Sequence, residues 1–122
     1  MKRIRVLLAT LPPLVNGLLT HLIQGQTDMK VVDAISEPVQ LLVAVKDTRA
    51  DVVILPLPGS GEMPGICSHL LAEYPDLLIL ALSLSGDSGF IYTAERVVEA
   101  PVNNILKAIR LAERSSTFPS RD

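Results

Sequence analysis

Apolar residues fall along this chain in blocks whose spacing switches between two periods. Ile4–Ala9 is an aliphatic run interrupted only by Arg5, the pattern of a strand covered on both faces. Pro12 and Pro13 follow, and Leu14, Val15, Leu18, Leu19, Leu22 and Ile23 then recur at helical spacing up to Gly25. That predicts a helix opened by the prolines, where a missing N–H costs little, and stopped at the glycine. Met29–Ala34 predicts a short second strand. Ser36 is expected to cap a second helix with Pro38 in its first turn and a stripe of Val39, Leu42, Val43 and the Lys46 stem. Val52–Leu55 is the most β-branched run and predicts the central strand.

The loop LPLPGSGEMPG precedes a third helix with Ile66, Leu70 and Leu71 facing inward. Pro75-Asp76 ends it before the aliphatic strand Leu77–Leu82. Gly86–Thr93 fits neither period. Arg96–Val98 is expected to be a fifth strand, and Val102, Ile105, Leu106 and Ile109 stripe a last helix. Residues 1–114 therefore form one domain in this reading, and the polar Ser115–Asp122 is expected to be a disordered tail. Five strand–helix units imply an α/β fold: a three-layer, doubly wound, five-stranded parallel sheet with helices on both faces.

Composition narrows the function classes. At 48% hydrophobic and 20% charged, with two Phe and two Tyr, the interior has to be built from Leu, Val, Ile and Ala. A net charge of −2 offers nothing to a polyanion, and the basic residues Lys2, Arg3 and Arg5 flank the first strand without interleaved aromatics, so no nucleic-acid partner is expected. Cys67 is the sole cysteine, which excludes an internal disulfide and a thiolate metal site. The segment KRIRVLLATLPPLV has the outline of a secretory signal, but Pro12-Pro13 and Asn16-Gly17 interrupt its apolar run and no small-residue cleavage site follows. No apolar run approaches a membrane span. The expectation is a soluble, cytoplasmic chain without membrane contact.

In an open α/β sheet the ligand crevice lies outside the carboxyl ends of the strands. Here those ends carry Thr10, Leu11, Pro12 and Pro56. No carboxylate precedes Asp28, and none lies between Asp51 and Glu62. The fold's customary site for chemistry is emptied of charge.

With these elements in order, the chain resembles the receiver domain of two-component response regulators over nearly its whole ordered length. The stretches that carry the resemblance are KRIRVLLATLPPLV, RADVVILPLPGSGEMPG, AEYPDLLILALSLSGD and LKAIRLAE. It looks most like the receivers that precede a helix-turn-helix output domain. The resemblance implies a flavodoxin-like sheet, and it also sets four positions against which this chain departs. The acidic pair that holds Mg²⁺ in receivers falls on Thr10 and Leu11. A hard cation wants charged oxygen ligands, so no Mg²⁺ binding is expected. The phosphoacceptor aspartate falls on Pro56, which has no nucleophile. The hydroxyl residue survives as Ser83. The lysine falls at Val98, Glu99 or Ala100, and no lysine lies between Lys46 and Lys107. Phosphoryl transfer depends on positioned charge and metal, so the resemblance implies a pseudo-receiver with no catalytic residue and no cofactor.

The span from Ser83 to Pro101 is short for a full fourth helix and fifth strand, and Gly86, Gly89, Ile91 and Thr93 lower helix propensity there. A short, irregular or absent fourth helix is expected. Phe90, Ile91 and Tyr92 would then either fold back over the gap or present an apolar patch to another signalling protein or to a second copy; the patch is the expectation adopted. Other constellations have plainer readings. Gly59-Ser60-Gly61 with Gly65 lacks the P-loop ending and reads as a turn. Ser68 and His69 diverge on a helix and cannot pair as nucleophile and base. Cys67 reads as a small buried hydrophobe. The alternative class is a small-molecule binder or enzyme using the crevice, with Ser60, Glu62, Ser83 and Asp87 as its polar lining, since this type of sheet hosts many functions.

Overall fold

A computed structural model describes residues 3–57, 65–83, 89–94, 97–99 and Ile109. Its elements are β1 (Ile4–Ala9), α1 (Pro13–Gln24), β2 (Met29–Ile35), a 3-10 turn (Pro38–Gln40), α2 (Leu41–Thr48), β3 (Val52–Pro56), α3 (Gly65–Glu73), β4 (Leu78–Leu82), β5 (Gly89–Tyr92) and β6 (Val97–Glu99). They build one six-stranded sheet in the order β2-β1-β3-β4-β5-β6. The first four strands run parallel. β5 is antiparallel to β4, and β6 is antiparallel to β5.

Strand alternation divides the core into two faces. Val6 and Leu8, Val52 and Ile54, and Leu78, Leu80 and Leu82 point to one side, where Leu19 and Ile23 of α1 and the helical residue Ile109 meet them. Leu7 and Ala9, Val53 and Leu55, and Ile79 and Ala81 point to the other, against Leu41 and Val45 of α2 and Cys67 and Leu70 of α3. This is why β1 beyond Arg5, β3 up to Pro56, and β4 read as continuous aliphatic runs: a strand covered on both faces has no polar position to spare. No polar or charged residue is fully buried among the described residues. Tyr74 ties the second face together by donating its hydroxyl to the Leu42 carbonyl of α2 at 2.8 Å.

At the amino ends of the strands, Arg5 and Asp51 lock β1 to the segment entering β3. The Arg5 N–H donates to Asp51 Oδ2 at 2.9 Å, and its Nε donates to the Thr48 carbonyl at 2.7 Å. The Asp51 N–H donates back to the Arg5 carbonyl at 2.8 Å. These groups lie at the opposite end of the sheet from the crevice and serve the fold.

Several expectations change. The sheet has six strands and is not all parallel. The expected fifth strand, Arg96–Val98, is β6, and it does run parallel to β4. Residues 89–92 insert β5 between the two, where a five-stranded receiver would place its last strand. An antiparallel neighbour needs no crossover helix, and six residues, 83–88, separate β4 from β5 in the sequence. Residues 84–88 lie outside the described residues. The second helix is also rotated from its expected setting. Leu41 and Val45 are buried, whereas Val39 and Val43 are 78% and 61% exposed. Its 3-10 lead-in is preceded by Glu37 with no side-chain cap, so Ser36 does not cap it. The expected tail Ser115–Asp122 and the residues expected to form a last helix, apart from Ile109, lie outside the described residues.

Candidate functional site

The chain enters the sheet at β1, leaves by α1 to β2 on one side, and returns by α2 on the opposite face to β3 on the other side. The crevice at such a switch point opens between the carboxyl ends of β1 and β3. The register defines what stands there. Leu8 pairs with Ile54, and Pro56 pairs with Leu82. Carrying these pairings on by two residues sets Thr10, Pro56 and Leu82 at one level, and Leu11, Leu57 and Ser83 one step beyond.

Each of these positions is occupied by a group that serves packing. Thr10 is half-buried and holds a left-handed backbone with φ 54°, uncommon for a β-branched residue. Its N–H donates to the Ile35 carbonyl at 2.9 Å, closing the β1–β2 ladder. The left-handed turn directs the chain from β1 into Pro12 and α1. Leu11 is 7% exposed and belongs to the apolar cluster of Val6, Leu8, Leu19 and Ile54. Pro56 is half-buried at the last paired position of β3. Leu57 follows it into the core, its N–H donating to the Leu82 carbonyl at 2.8 Å. Ser83 is half-buried at the end of β4 and has an interaction partner.

A Mg²⁺ ion finds no charged oxygen at Thr10, Leu11 or Pro56, and the described residues hold no group of three His, Cys, Asp or Glu side chains placed to share an ion. The donor set does not fit a hard divalent cation. Val98 and Glu99, the positions set against the receiver lysine, sit on β6 opposite Ile91 and Phe90. Three strand spacings of about 4.8 Å put their backbone roughly 14 Å from β3. The structure thus groups Thr10, Leu11, Pro56 and Ser83 and separates Val98 and Glu99 from them. Ser60, Glu62 and Asp87 lie outside the described residues.

The expected apolar patch at Phe90, Ile91 and Tyr92 is not presented. Ile91 and Tyr92 are 9% and 3% exposed, on opposite faces of β5. Phe90 is half-buried and stacks on Tyr92 with ring centroids 6.3 Å apart. Insertion of β5 beside β4 turned these side chains into core. Burial raises the Tyr92 phenol above its ordinary range, with the neighbouring Cys67 adding to it. Burial also pushes the Cys67 thiol up to about 11, so it stays protonated near neutrality and is a poor nucleophile.

What sequence reasoning missed is on the outside of α1. Leu14, Leu18 and Leu22 are 75%, 59% and 46% exposed. The available signal was the excess of apolar positions, six on a helix of twelve residues, more than one buried face can absorb.

No described helix is long and apolar enough to cross a membrane. No protein-family model matches this chain, and no curated protein matches its sequence.

Proposed function

We propose that the chain is a receiver-like signalling module of the two-component type that acts through protein–protein contact and not through phosphorylation of an aspartate. The observation that carries the reading is the level at which β1, β3 and β4 end. With a strand order of β2-β1-β3-β4, Thr10, Leu11 and Pro56 stand at the carboxyl ends of β1 and β3, the positions that the receiver-like reading sets against the acidic pair and the phosphoacceptor. Leu11 packs inward, Pro56 ends a ladder, and Thr10 turns the chain.

Transfer of a phosphoryl group needs a nucleophile in line with the donor and cationic charge over its oxygens. Pro56 offers neither a nucleophile nor an N–H, and Glu99 would bring the wrong sign of charge even if it were close. The β5 insertion supports the same reading. In the receiver-like reading the region after β4 carries the switch and partner surface, and here an antiparallel strand pinned by Ile91 and Tyr92 stands between β4 and the strand expected to be the fifth. Such a module is a fixed shape for a partner to read.

The test is exposure of the whole chain and of Pro56→Asp to a small acyl phosphate with Mg²⁺, followed by intact mass measurement. Neither protein is expected to gain a hydroxylamine-sensitive phosphoryl group, because the variant restores an acceptor without the metal's ligands. A labelled Pro56→Asp protein would show that a metal site survives and would overturn the reading.

A further inference from the structure

We draw no further inference here: the strongest candidate, the exposed apolar ridge of Leu14, Leu18 and Leu22 along the outer side of α1, is a bare helix face, and nothing in the structure shows what covers it.

Discussion

Leu11→Asp is expected to cost the fold about 3–5 kcal/mol and to create no metal site. In the proposed receiver-like reading position 11 falls where a Mg²⁺ ligand would stand, and here Leu11 is 7% exposed in the apolar cluster of Val6, Leu8, Leu19 and Ile54. A carboxylate placed there has no cation and no described donor to meet. Burial raises its folded pKa above the ordinary value of about 3.9. The charge penalty is therefore absent below that ordinary value, grows as pH rises through it, and is complete above the folded pKa. Only the lost leucine packing remains at low pH. Urea unfolding at pH 3.5 and pH 7.5, with and without millimolar Mg²⁺, measures both claims. A deficit that shrinks on adding Mg²⁺ at pH 7.5 would mean that the strand ends still form a cation site.

Tyr92→Ala carries the second large effect, about 3–5 kcal/mol of lost stability. Tyr92 is 3% exposed, lies opposite Ile79 on β4 and Val97 on β6, and stacks on Phe90. Removing the ring opens a cavity under the antiparallel edge of the sheet and abolishes the aromatic pair. Natural domains hold only about 5–15 kcal/mol in total, so this is a large share. Changing Phe90, Ile91 and Tyr92 together to Ser is expected to leave the chain unfolded. Circular dichroism and chemical denaturation separate this account from the expectation of a surface patch: if Tyr92→Ala unfolds at the wild-type denaturant midpoint, β5 is not part of the core.

The parallel half of the molecule could be read from sequence because its strands are covered on both faces. Val6–Ala9, Val52–Leu55 and Leu77–Leu82 carry no polar residue, and their ends fix where the crevice must be. Thr10, Leu11, Pro56 and Ser83 accordingly fall at the carboxyl ends of β1, β3 and β4. The helices were harder for the opposite reason. α1 and α2 are apolar on more than one side, so periodicity marks the helix without saying which side faces in. In α1 it is Leu19 and Ile23 that are buried, and in α2 it is Leu41 and Val45, while Leu14, Leu18, Leu22, Val39 and Val43 face out. The end of the sheet was harder still. Gly89–Tyr92 is four residues long, too short for any period to declare itself, and its β character comes from antiparallel pairing with Leu80 and Ala81 of β4. That insertion carried Val98 and Glu99 one strand outward, a displacement no local pattern records.

The central claim is that the strand ends of β1, β3 and β4 have lost phosphoryl chemistry while keeping the scaffold. The most direct measurement is the melting temperature of the whole chain with Mg²⁺ and beryllofluoride, separately and together. A ligand stabilises a protein only in proportion to its occupancy of the folded state. Thr10, Leu11 and Pro56 offer it no charged oxygen and no acceptor, so all conditions should melt within error of one another. A rise that requires both Mg²⁺ and beryllofluoride would contradict the account.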